Sequence, residues 1–239
     1  MHVRQACYYY LLGVLCIICS VIGSGISRIM FYPAFTCILV GSIYLADKPG
    51  WFCKIGGRHS LFSILLFGPY LTGSWCSWFY YRKKLPPCSE ILPGILLGRR
   101  LNHAEAQRII NNSEVAVLDL APEIAEVNIF CNQNYRHIPV LDLTPPSTRQ
   151  LAEAVKFINR HHPDSKIFIH CALGLSRGAA VVAAYLVRKG LNTDKTVSLI
   201  RRSRPQVIVQ KEIINLLNIL ESKPESEDPG EICCQQTQP

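Results

Sequence analysis

The first 84 residues of this 239-residue chain contain one acidic side chain, Asp47, and 8 of the 25 Lys and Arg. Three stretches in that half have no Asp, Glu, Lys or Arg at all: residues 5–27, 29–46 and 60–81. Across the whole chain only 18 % of residues are charged and 49 % are hydrophobic, which excludes disorder for most of its length. The formal charge of +8 would by itself suggest nucleic acid. Most of the excess borders the uncharged stretches, so membrane headgroups account for it and nucleic acid is not an expected partner. No internal repeat is present. Cysteine is plentiful, 11 residues, yet no disulfide framework or metal-ligand spacing emerges. Cys7, Cys16, Cys19, Cys37 and Cys76 fall in apolar runs, where cysteine acts as a small hydrophobe. The pair Cys16 and Cys19 has CxxC spacing but no second ligand pair, which excludes a zinc or redox motif there.

A helix crossing about 30 Å of hydrocarbon needs roughly 20 apolar residues. The first and third uncharged stretches reach that length and the second is marginal. Pro69 and Gly73 in the third are better tolerated in lipid than in a soluble helix. The third ends in Trp78, Phe79, Tyr80 and Tyr81, followed at once by Arg82, Lys83 and Lys84, the pattern of a membrane–water boundary. Residues 1–84 are therefore expected to be an integral, multi-pass membrane region with about three transmembrane helices. The alternatives are a buried helical domain or, for the first stretch, a signal peptide. Against the latter, the run exceeds an h-region of roughly 7–15 residues. Basic side chains divide evenly between the two sides. The compact 82–84 cluster and the need for a reduced thiol place the remainder in the cytosol.

Residues 85–94, opening with Leu85, Pro86 and Pro87, suggest a stiff linker. Beyond it, β-type runs at 95–97, 115–118, 137–141 and 167–170 alternate with helical patterns at 148–160, 178–188, 193–202 and 206–220. Leu151, Ala154, Val155 and Ile158 share one helix face, and residues 178–188 are apolar nearly all round. The pattern predicts an α/β domain over residues 95–221, its central sheet mostly parallel and flanked by helices. Residues 222–239 are polar and Pro-containing, the composition of a disordered tail.

The chemistry concentrates between Lys166 and Gly178. A strand runs into His170 and Cys171, a loop of Ala172, Leu173, Gly174, Leu175 and Ser176 turns, and a helix leaves at Arg177. Such a loop aims successive N–H groups into one concavity with a helix N-terminus behind it, a site for a phosphate. The same field favours a thiolate at Cys171, and Arg177 can close the cradle with a bidentate fork. Spacing alone is not specific, since Cys76 and Arg82 share it. Only Cys171 has the strand, the glycine and the helix around it.

His170-Cys171-x5-Arg177 resembles the signature loop of the cysteine-dependent protein phosphatases, and the domain size resembles their dual-specificity subgroup. The similarity runs from about Ile95 to Leu217. It takes in LLGRRL at 96–101 and Arg201-x-x-Arg204-Pro205. The loop CALGLSR behind apolar spans is similar to bacterial membrane-associated members, although no span belongs to the family pattern itself.

The resemblance implies a two-step displacement. Cys171 attacks phosphorus, the amides of residues 172–177 and the Arg177 guanidinium hold the phosphoryl oxygens, and His170 supports the loop. An aspartate upstream acts as acid and then base. Asp142 fits that role, beside a proline turn at a strand end; Asp164, in the turn before the nucleophile strand, is the competitor. Neither metal nor cofactor is implied. The family usually has Ser or Thr after the arginine, whereas this chain has Gly178, so hydrolysis of the phosphocysteine is expected to be slow. The expected function is a membrane-tethered phosphatase acting on phosphotyrosine or phosphoserine/threonine proteins. A lipid phosphate phosphatase with the same chemistry, or a catalytically weak phosphate-binding module, are the alternatives. Apolar Ala172, Leu173 and Leu175 disfavour highly charged inositides.

Overall fold

The computed structural model describes residues 2–23, 25–111 and 114–222. Helix α1 (Val3–Ile22) is followed by a 3-10 turn (Gly25–Met30) and helix α2 (Phe31–Ala46). The two fold back as a hairpin, and the His2 N–H donates to the Tyr44 carbonyl at its open end. A 3-10 turn (Pro49–Phe52) leads into a two-stranded hairpin, β1 (Lys54–Ile55) and β2 (Arg58–His59). Helix α3 (Leu61–Tyr81) starts at Ser60, whose hydroxyl accepts from the Ser63 N–H.

Among the described residues, two helical stretches are long and apolar enough to cross a membrane, Val3–Ile22 and Gly25–Ala46. They correspond to the first two of the about three spans expected. Helix α3 has the length, 21 residues. It is not among these candidates, and it lies along the α/β domain. Phe67 shares a buried cluster with Leu141, while Trp78, eleven positions on, shares another with Ala172.

The α/β domain then unrolls as β3 (Cys88–Leu92), β4 (Ile95–Arg99), α4 (His103–Ile110), β5 (Val115–Asp119), α5 (Asn128–Cys131) and β6 (Asn134–His137). After these come α6 (Thr148–His161), β7 (Lys166–Cys171), α7 (Arg177–Arg188), α8 (Thr193–Ser203) and α9 (Lys211–Glu221). The sheet order is β3-β4-β7-β5-β6, antiparallel only between β3 and β4. Helix α7 is buried from Arg177 to Val187, the outcome anticipated from its lack of a polar face. Capping boxes at Asn102–Glu105 and Ser147–Gln150 start α4 and α6.

Three expectations need correction. Residues 85–94 are no free linker: they contain β3, and the Pro86 and Pro87 carbonyls accept from Arg204 and from the Arg99 N–H. The strand expected at 137–141 is instead β6 at Asn134–His137; beyond it the Ile138 and Val140 amides still donate to the Asp119 and Leu120 carbonyls, outside the regular ladder. The helix expected from 206 starts at Lys211; the Val207 and Ile208 amides instead donate to the Arg204 and Leu175 carbonyls. The tail at 223–239 lies outside the described residues.

The β1–β2 hairpin ties the helical half to the α/β half. Lys54, fully buried, donates to Asp119 Oδ2 at 2.5 Å and to the Ala121 and Ile124 carbonyls. The Glu126 N–H donates to the Gly57 carbonyl beside it. Removing one partner of a buried pair strands the other charge. Lys54→Ala should therefore destabilise the full chain by about 3–5 kcal/mol. Chemical unfolding in detergent micelles would measure this, and a loss under about 1 kcal/mol, the level of an exposed pair, would refute it.

Candidate active site

The register places the site at the carboxyl edge of the sheet. Arg99 of β4 lies beside Cys171 of β7, and Asp119 of β5 lies beside His170. Open α/β sheets bind ligands at this edge. Residues 172–176 form the loop between β7 and α7.

The loop carbonyls have partners on its outer side. The Arg100 N–H donates to the Cys171 carbonyl, Arg204 Nε to that of Gly174, and the Ile208 N–H to that of Leu175. With the carbonyls turned outward, the amides line the inner side, and the Gly174 N–H donates to Cys171 Sγ at 3.3 Å. Gly174 is irreplaceable on two counts. Its φ is +68°, and a Cβ there would sit 2.4 Å from the Gly98 carbonyl carbon. The GRR motif at 98–100 and the closing Arg204 thus hold the loop from behind, a use their distance in sequence did not reveal.

Arg177, 2 % exposed, is the most heavily bonded side chain of the site. Its Nη1 donates to Glu123 Oε2 and the Val140 carbonyl, each at 3.0 Å. Its Nη2 meets Glu123 Oε1 at 2.6 Å and Asp142 Oδ1 at 3.1 Å. Burial alone would lower its pKa, but Glu123, Asp142 and Cys171 outweigh that and hold it well above the usual arginine value. Asp142 therefore lies at the arginine, with its side chain 50 % exposed. Asp164 lies at the other end of the six-residue β7, about 20 Å from Cys171, beside Gly94, Glu114 and Lys166.

A second layer lies under the loop. His170 Nε2 pairs with Glu126 Oε2 at 2.8 Å, and its ring stacks on Phe168. Burial would lower the His170 pKa; the Glu126 and Asp119 carboxylates reverse this and raise it. Burial would likewise raise Asp119, but Lys54, His170 and His137 hold it far below the usual carboxylate range. Asp119, Glu126 and His170 bring ligand atoms within 4.8 Å of one another. The Lys54 ammonium already occupies Asp119 Oδ2, and a cation there would have to displace it.

The sequence reading missed Glu123, Glu126, Asp119 and Lys54. A usable signal existed in Ala-Pro-Glu-Ile-Ala-Glu at 121–126, two carboxylates directly after a buried strand, on the edge where Arg177 and His170 need counter-charges. The helical half also reaches the site. The Tyr44 hydroxyl donates to the Asp142 carbonyl at 3.2 Å, and Gln5 Nε2 donates to that of Leu143. Trp78 Nε1 donates to the Arg100 carbonyl at 2.8 Å, with the Arg82 and Arg100 guanidinium groups over its ring.

Gly178 is buried, and a Cβ there would meet Leu97 Cδ1 at 2.7 Å, so the missing hydroxyl leaves room for strand β4. The Ser176 hydroxyl has no hydrogen-bond partner among the described residues and so makes none to the sulfur.

Residues 96–223 match the family described as dual specificity phosphatase, catalytic domain. Protein-tyrosine-phosphatase IBR5 of Arabidopsis thaliana is 28 % identical over 137 residues, 56 % of this chain and 51 % of that protein. Dual specificity protein phosphatase 22 of Mus musculus is 29 % identical over 106 residues, 41 % of this chain and 54 % of that protein. The chain spans about half of these relatives' length, and 18 % of that of dual specificity protein phosphatase 8 of Mus musculus. Among solved structures, Tk-PTP in its active form aligns with a TM-score of 0.52 at 26 % identity, covering 58 % of this chain and 98 % of that one. PTPMT1 in complex with PI(5)P aligns at 0.52 and 17 % identity, covering 57 % and 95 %, a likeness of fold.

The His170–Glu126 pair has a pH signature. The folded His170 value lies above that of an unfolded histidine, about 6.5, so the pair stabilises fully below that pH. Its contribution is lost as pH rises through the higher folded value. The melting-temperature gap between wild type and Glu126→Gln should narrow as pH rises from about 6.5; a constant gap would rule the pair out as its source.

Proposed function

Since this chain belongs to the dual specificity phosphatase family, we propose that it is a membrane-tethered phosphomonoester hydrolase working through a phosphocysteine. The observation carrying this reading is the Cys171 sulfur, bonded to a loop amide, on a loop whose outward carbonyls leave its N–H groups facing inward, with Arg177 opening the helix behind. Cys171 thiolate forms the S–P bond while the P–O bond to the leaving group breaks, and Asp142 gives that oxygen its proton. In the second step water attacks phosphorus, Asp142 takes the water's proton, and the S–P bond breaks to return the thiolate and release inorganic phosphate. The loop amides and Arg177 hold the equatorial oxygens throughout.

The Arg177 Nη groups donate three hydrogen bonds, two to Glu123 and one to the Val140 carbonyl, and Nη2 also forms an ion pair with Asp142. Glu123 and Val140 orient the guanidinium. An arriving phosphate takes over the Nη2 contact of Asp142, and the freed carboxyl turns to the leaving oxygen. The tether is the α1–α2 hairpin, with Arg82, Lys83 and Lys84 at the headgroups and the catalytic domain on the cytosolic side.

The full chain in detergent micelles should hydrolyse a soluble aryl phosphate, with a phosphorylated enzyme trapped by acid quench. Cys171→Ser should abolish both; retained turnover or a missing phosphoenzyme would refute the mechanism. Asp142→Asn should lower kcat by roughly 10²–10⁴ while tightening inorganic phosphate binding, since Arg177 loses a competing charge. Unchanged phosphate affinity would remove the proposed exchange of partners. Gly178 is expected to slow the second step, giving a burst before steady turnover. Gly178→Ser combined with Leu97→Val, which makes room for the Cβ, should shrink that burst; an unchanged burst would exclude the missing hydroxyl as its cause.

A further inference from the structure

The mouth of the phosphate loop opens into a chamber. It has a volume of about 400 Å³, within the range of small-molecule sites, roughly 300–1,000 Å³. Its floor is made by Ala172, Leu173 and Asp142, the loop and the acid of the site. Its walls come from the helical half: Leu12 of α1, Val40 of α2, and Tyr70 and Gly73 of α3. No Lys or Arg lines it among the described residues. The same α1 and α2 are the helices apolar enough to meet lipid, and Leu12 and Gly73 are exposed at the rim.

From this juxtaposition, and resting on the phosphomonoesterase reading above, we propose that the substrate is a lipid phosphomonoester, its phosphate on the Cys171 loop and its acyl part in the chamber between α1, α2 and α3. Three features favour this over a phosphopeptide. Tyr44 and Gln5 bind the carbonyls of Asp142 and Leu143, and Trp78 lies over Ala172, so helices, not open solvent, surround the mouth. A peptide brings backbone N–H and C=O groups along its whole length that need partners, and beyond a few hydroxyls, Tyr9, Ser74 and Ser77 among them, the walls are mostly apolar. An acyl chain needs none, and gains from leaving water. The lack of a cation in the lining limits the headgroup to the single phosphate that the loop itself can neutralise.

The test uses the full chain in phosphatidylcholine vesicles containing dioleoyl phosphatidate, with a soluble aryl phosphate and a phosphotyrosine peptide as parallel substrates. Phosphatidate should be turned over, and the dibutyryl analogue far less well. At Gly73 an added Cβ meets no atom within 4 Å, so Gly73→Leu can narrow the chamber without disturbing its walls. Gly73→Leu, and independently Cys16→Phe from α1, should lower the ratio of phosphatidate to aryl phosphate kcat/KM roughly tenfold or more. The ratio is internally controlled, since a misfolded variant loses both activities. Hydrolysis of aryl phosphate or phosphopeptide without phosphatidate, or an unchanged ratio in both variants, overturns the lipid assignment and leaves the phosphomonoesterase reading standing. Failure on all three substrates overturns that reading instead.

Discussion

The guanidinium of Arg177 is the point on which three crossovers converge. It opens helix α7 from the end of the loop, Glu123 reaches it from the turn after β5, and Val140 and Asp142 reach it from the segment after β6. A buried cation in such a place needs counter-charge close by, or its desolvation opposes folding. Glu123 meets that need on two nitrogens at once, and so sets the plane of the fork before any substrate arrives. Preorganisation of this kind gives an arginine its value at a phosphoryl site, since the donors need not reorganise as charge develops.

Behind the arginine, the loop depends on close backbone approach. Gly174 lies against Gly98 with no space for a side chain on either, and Arg204 reaches in from after α8 to take up the Gly174 carbonyl. Residues nearly eighty positions apart are thereby held at van der Waals contact, and small displacement of either would turn amides away from the bowl. The same economy of space explains Gly178, which leaves room for Leu97 rather than supplying a hydroxyl.

The helical half packs directly against the site. Lys54 plugs into Asp119 beneath the site, Trp78 braces Arg100 and Ala172, and Tyr44 bonds the backbone of Asp142. These contacts couple the position of α1–α3 to the geometry at Cys171.

The sheet, its flanking helices and the loop between β7 and α7 were legible because each is written locally: apolar runs of strand length, a 148–160 helix face, and a strand–loop–helix with Cys171 and Arg177 at its two ends. The boundaries failed where a local rule competed with a distant partner. The apolar run at 137–141 follows β6 rather than forming it, since the register with β5 is set by Asn134–His137, and Cys88–Leu92 became a strand because β4 offered it an edge. Glu123, Glu126 and Lys54 carry no motif, since a carboxylate in a turn and a lysine in a short hairpin acquire meaning only when folding buries them against an opposite charge. What the chain's order alone determined was the chemistry: a thiol, a ring of amides and an arginine within seven residues, where geometry follows from local backbone. What the tertiary structure decided was the surroundings of that chemistry, because the chamber, the arginine's partners and the helices over the mouth come from segments whose contacts form only when the chain closes on itself.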